Sequence, residues 1–134
     1  MSLYTHFSMD PDAEQRGIEL DYGNGCTIRI ARAGGSNAAF KREAQRFQRK
    51  HGRALELETI SEEVVTKELV EIFAKTVVLG WTGVTDRAGI EMDFSVPNCV
   101  RLFLDLPEFF IDIRNQATKL VLFREIERED DSGN

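Results

Sequence analysis

The residues able to do chemistry are few and scattered. His6 and His51 are the only histidines, and no C-x-x-C or H-x-x-x-H spacing gathers them with Cys26 or Cys99 into a zinc site. Two isolated thiols suit a reducing compartment, where free cysteine is most often buried as a small apolar group. Nucleophilic hydrolysis would need a G-x-S-x-G elbow, and nucleotide chemistry a G-x-x-x-x-G-K-[ST] loop; neither occurs. Glu56 and Glu58 would share a strand face, and Glu68 and Glu71 a helix face. Paired carboxylates are common on solvated surfaces, however, and no companion group gives these a reaction. The expectation is a non-enzymatic protein with no catalytic, cofactor-binding or metal-ligating residues.

The chemistry that remains is recognition. Between positions 38 and 55 stand Lys41, Arg42, Arg46, Arg49, Lys50 and Arg53, opposed only by Glu43, in a chain whose formal net charge is -6. The compensating acid concentrates late, where Glu125, Glu127, Glu129, Asp130 and Asp131 face only Arg128. Such a basic run is a solvated face, a contact for an acidic protein, or a phosphate reader. The net charge and the lack of interleaved aromatics argue against the last. Trp81, beside a glycine turn, either packs between the helices it joins or anchors a partner. Phe109 and Phe110 are adjacent on a helix, about 100° apart, so both cannot point inward. Candidate interaction residues are therefore Lys41, Arg42, Arg46, Arg49, Lys50, Trp81, Phe109 and Phe110.

These residues need a scaffold. At 134 residues, 42% apolar and 30% charged, the chain suits one domain. It has no basic start followed by an apolar run, and no apolar stretch of membrane-spanning length. Residues 1–16 show no sustained period and read as a flexible arm. Alternation over 18–22 and 26–30, joined by Gly23-Asn24-Gly25, predicts a hairpin within 17–32, with Ile18, Leu20 and Tyr22 on one face. Asn37 caps an expected helix over about 38–51, ended by Gly52. Thr59, spaced to Glu62 as a capping box, opens another over about 60–79, with a stripe of Val65, Leu69, Ile72, Phe73, Thr76 and Val77. Gly80 stops it, and residues 80–89 read as a connection. Ser95 caps a helix over 96–106 with Pro97 in its first turn, and Val100, Phe103, Leu104 and Leu106 supply its apolar contacts. Pro107 opens a last helix over 107–124, with Asp105 as its cap and a stripe running through Ile113, Ala117, Leu120, Val121 and Phe123. Residues 17–124 thus form one mainly α (α+β) domain, a hairpin followed by about four packed helices, with 125–134 an acidic disordered tail.

The run Gly80-Trp81-Thr82-Gly83-Val84-Thr85-Asp86, with Gly89, then Phe94-Ser95, Asn98 and Leu102, then Leu106-Pro107-Glu108-Phe109-Phe110, resembles the central signature of the tail assembly chaperones of long-tailed bacteriophages (siphophages). Upstream, Ala33-Gly34-Gly35-Ser36-Asn37 and Phe40 are similar to a second pattern of that family, so the resemblance spans roughly four fifths of the chain. Pro97 departs from it, since relatives often carry an acidic residue there; helix initiation survives the change. The resemblance implies a mainly helical protein of the host cytoplasm that associates with copies of itself and binds the tape measure protein. It implies that the protein keeps that client soluble during tail tube assembly and is absent from the mature virion. It further implies that a frameshift-extended form recruits the major tail protein. The alternative is a nucleic-acid-binding regulator that uses the basic helix over 41–53.

Overall fold

The computed structural model describes residues 2–125. Its elements are α1 (Leu3–Phe7), α2 (Pro11–Arg16), β1 (Ile18–Gly23), β2 (Cys26–Ile30), α3 (Ala38–Glu56), α4 (Glu62–Thr76), β3 (Val78–Thr82), α5 (Val96–Asp105), α6 (Pro107–Ala117) and α7 (Leu120–Phe123). The α+β class expected from the sequence is the class observed. Residues 126–134, most of the expected acidic tail, lie outside the described residues.

The hairpin forms as its alternation requires, with Ile18 opposite Ile30 and Leu20 opposite Ile28, and with positive φ at Gly23, Asn24 and Gly25 closing the turn. What the sequence pattern hid is a third strand. β3 pairs antiparallel with β2, setting Trp81 opposite Ile28 and Val78 opposite Ile30 in a sheet of order β1-β2-β3. Val77, Val78 and Leu79 continue the apolar run of α4, so the change from helical to extended backbone left no break in hydrophobicity. Gly80 is a strand residue and not a helix stop.

One face of the sheet lies on the helices. Ile28, Ile30 and Val78 share a buried core with Val70, Phe73 and Val77 from the end of α4, Cys99 and Phe103 from α5, and Phe110 and Ile113 from α6. Each large group so buried contributes roughly 1.5–3 kcal/mol before chain entropy is opposed to it.

Several boundaries move. The expected flexible arm contains α1 and α2, and α2 is docked: the carboxylate of the buried Glu14 accepts from Ser36 N–H and Oγ and pairs with Arg32. A periodicity reading misses helices this short, because one turn carries no period. Helix α3 runs through Gly52 to Glu56, since a glycine weakens a helix interior by only ~1 kcal/mol and does not end it without a left-handed conformation. The cap of α4 is Ser61, which accepts from Val64 N–H, and not Thr59. Val65 and Leu69 are half-buried, while Val70 and Ala74, outside the expected stripe, are buried nearly as deeply as Val77. The last helix is two pieces broken at Thr118 and Lys119; Ala117 and Phe123 are buried while Leu120 and Val121 are exposed. Leu106, not Asp105, occupies the N-cap position of α6, without a side-chain bond.

Candidate interaction surface

The basic helix is fixed at its first turn. Asn37 Oδ1 accepts from Phe40 N–H, while its Nδ2 donates to the carbonyls of Arg32 (2.8 Å) and Thr76 (2.9 Å). One side chain thus caps α3 and ties it to the chain leaving β2 and to the end of α4. Glu14 supports the same corner. Burial alone would raise its pKa, but the hydrogen bonds from Ser36 and Arg32 outweigh that and hold it below the usual glutamate range.

With its start anchored, α3 turns Phe40, Ala44 and Phe47 toward α4, Phe40 meeting Phe73 edge-on at 5.6 Å. Arg42, Arg46, Arg49 and Arg53 follow the i, i+4, i+7, i+11 spacing on the opposite side, and all four are exposed. Among the described residues, Lys41, Arg42, Arg49 and Arg53 have no ion-pair partner, and Arg46 has only Glu43 at 3.8 Å. Lys50 belongs to a different cluster. Its Nζ lies 3.2 Å from Glu68, which also meets His51 Nε2 at 3.0 Å. His51, then Lys50, lower the pKa of Glu68, so this pair of bonds fastens α3 to α4. A polar notch of about 220 Å³ between the two helices is lined by Arg46, Phe47, Lys50, Glu68, Glu71 and Lys75. The candidate basic residues therefore divide into an exposed arginine stripe, of which only Arg46 has an ion-pair partner among the described residues, and a brace between α3 and α4.

Trp81 does not pack between two helices. It lies on β3, half-buried, with its ring edge-on to Phe94 at 5.0 Å and its Nε1–H donating to Met92 carbonyl at 2.8 Å. That bond holds the segment between β3 and α5 against the sheet. Phe110 is buried and Phe109 half-buried, as their 100° separation demands. Both join a run of ring contacts, Tyr22–Phe109–Phe103–Phe110–Phe73–Phe40, with centroid separations between 4.9 and 5.9 Å. The run crosses the molecule from the hairpin to α3. Tyr22 Oη donates to Asp112 at 2.6 Å, and burial followed by this bond raises its pKa.

Other surface features escaped the sequence reading. Leu104 on α5, Leu106 at the break between α5 and α6, and Ile111 on α6 are 48%, 49% and 47% exposed and border three different grooves, although the sequence reading expects Leu104 and Leu106 among the apolar contacts of α5. The signal was present in Leu106-Pro107, because a break between two helices leaves its flanking side chains without a facing element. An open groove of about 530 Å³ runs beside Leu106, lined also by Met92, Arg101, Leu102 and Asp105. A second of about 450 Å³, lined by Phe40, Leu69, Phe73, Ile111 and Arg114, lies between α3, α4 and α6.

The two histidines and Cys99 make separate contacts. His6 contacts Arg124 at 3.4 Å, His51 meets Glu68, and Cys99 is buried, its thiol pushed up to about 12 by desolvation. Among the described residues no three His, Cys, Asp or Glu side chains converge to hold a metal ion.

The comparisons with known proteins are sparse. A family model described as YdaY prophage protein matches residues 35–134, from the turn before α3 onward. No curated protein and no solved structure matches.

Proposed function

The chain belongs to the YdaY prophage protein family, and from that premise we propose that it is a bacteriophage tail assembly chaperone. It binds the tape measure protein, assists tail tube assembly in the host cytoplasm, and is left out of the mature virion. The major tail protein joins through a frameshift-extended form. The observation that carries this reading is the exposure of Leu104, Leu106 and Ile111, three large apolar side chains in or beside the segment where the chaperone-like motif Leu106-Pro107-Glu108-Phe109-Phe110 lies. Apolar groups left on rigid helices can cover apolar faces of a long helical client without making or breaking a bond, and exposed patches of this kind mark protein contacts.

Co-expression with the tape measure protein of the same prophage tests it. Soluble client yield should rise with the native chain and return to the client-alone level when Leu104, Leu106 and Ile111 are together replaced by Glu. A native chain that leaves client solubility unchanged sinks the proposal.

A second reading, nucleic-acid binding, draws on the exposed arginine stripe of α3. It requires a duplex or single-strand mobility shift that weakens steeply with salt and disappears with Arg46→Gln, Arg49→Gln and Lys50→Gln.

A further inference from the structure

The pair α1 and α2 lies on the body as a strap, and a single residue joins the two. α2 ends at Arg16 and β1 begins at Ile18, so Gly17 is the whole hinge. Its φ of +90° favours glycine, and an added Cβ would lie 2.7 Å from the Ile30 carbonyl oxygen. Arg29 grips the turn by donating to the carbonyls of Arg16 and Gly17. A short hinge folded back this tightly is the kind at which an element passes to a second copy of its own chain.

The seat of the strap has a specific shape and charge. Glu14, 3% exposed, places its carboxylate against Arg32 and accepts from Ser36 N–H at 3.1 Å and Ser36 Oγ at 2.7 Å. Asp10 N–H donates to Phe123 carbonyl, Arg32 N–H to Glu14 carbonyl, Ser36 Oγ to Pro11 carbonyl, and Glu125 N–H to Ser8 carbonyl. Each of these bonds joins a strap residue to a body residue, and none depends on how Gly17 connects them. Phe123 is fully buried although it stands apart from the core that the sheet shares with α4, α5 and α6; it belongs to α7, against which α2 packs. A body whose strap has lifted therefore presents a cationic and hydrogen-bonding seat for one carboxylate, next to an aromatic side chain in need of cover. A second strap of the same sequence meets all of these needs at once. α1 buries no side chain, and its Leu3, Tyr4 and Phe7 are exposed, so it adds little hold on its own body.

We propose that two copies exchange these straps, the α1–α2 segment of each lying across the body of the other with its Glu14 seated between Arg32 and Ser36 of the second copy. Both copies give and receive the same element, so the contact is isologous and the assembly closes at two. The proposal does not rest on the chaperone reading, since neither the strap nor its seat includes Leu104, Leu106 or Ile111.

The test uses the protein alone. Met9 and Arg124 face each other across an isolated antiparallel bridge, a spacing that a disulfide can span. With Cys26→Ser in both, a chain carrying Met9→Cys is mixed with a chain carrying Arg124→Cys and mildly oxidised. The mixed disulfide pair should form in preference to either like pair. In light scattering the native chain should rise with concentration from the mass of one copy to that of two and no further. Inserting Gly-Ser-Gly-Ser between Gly17 and Ile18 lets each strap return to its own body without a tight turn, and should weaken the dimer about tenfold. Circular dichroism checks that each variant keeps the native fold. A native chain that stays monomeric at every concentration, like pairs cross-linked as readily as the mixed one, or a dimer indifferent to the insertion would each overturn the inference.

Discussion

At the scale of single residues, Asn37 and Glu14 have more consequence than any group able to do chemistry. Asn37 is a helix cap, which sequence shows, and also the donor to two backbone carbonyls from distant segments, which it does not. Replacing it by Ala removes a cap worth ~1 kcal/mol and leaves two carbonyls without their donor, so a loss of about 2–4 kcal/mol is expected in urea unfolding. Asn37→Asp should be nearly as damaging, because it keeps the cap and loses both donations. For Glu14 the sign follows from its lowered folded pKa. Its contribution is complete above the ordinary glutamate value and is lost as pH falls through the lower folded value. Stability measured from pH 7 down into the acid range should therefore drop more steeply in the native chain than in Glu14→Gln. Parallel curves for the two proteins would show that the Arg32 and Ser36 contacts do not carry this dependence.

At the scale of elements, two glycines separate backbone tolerance from backbone necessity. Gly52 lies inside α3, where an added Cβ would meet only the movable end of Gln48, at 2.8 Å. Gly52→Ala should raise stability by roughly 0.5–1 kcal/mol in a thermal melt, through better helix propensity and a less disordered unfolded chain. Gly83 follows β3 with a φ of +71°, and a Cβ there would lie 2.2 Å from the carbonyl oxygen of Gly25. Gly83→Ala must displace the hairpin backbone and should cost at least ~2 kcal/mol, with the β2–β3 amides losing exchange protection first. The sequence carried the hairpin, the Asn37 and Ser95 caps and the α5–α6 break because each depends on neighbours within a few positions. It did not carry β3, whose partner strand is Cys26–Ile30, or the docking of α2, whose hold on Ser36 spans twenty-two positions. The candidate site divided along the same line. The periodicity of 42, 46, 49 and 53 was visible, but the diversion of Lys50 and His51 onto Glu68 needed the fold.

At the scale of the whole molecule, the arrangement is a three-stranded sheet backed by helices, with the arginines of α3 and three large apolar side chains of α5 and α6 left exposed outside the core. The arginine stripe and the exposed Leu104, Leu106 and Ile111 lie on different elements, so they should respond separately to mutation. Leu106→Glu should leave unfolding free energy within about 0.5 kcal/mol of native, since the side chain is half exposed, while reducing binding of an apolar dye such as ANS. A large loss of stability with unchanged dye binding would mean that Leu106 is structural. The ring run from Tyr22 to Phe40 joins the hairpin to α3 through the core, and Phe103→Leu at its middle should lower the cooperativity of both ends together.

The pairing of Ser8 with Glu125 and of Asp10 with Phe123 has a mechanical consequence. The two segments of this short bridge run in opposite directions, so Ser8 and Glu125, where a pull from residues 2 and 125 enters, lie at the same edge of it. A pull applied through residues 2 and 125 would load these bonds one after another, as a zipper opens, and not together, as a clamp shears. In an optical trap with handles at those two positions, the first event should be a low-force release of α1 and α2, well before the sheet gives way. An unfolding motor that grips either side would meet its least resistance there.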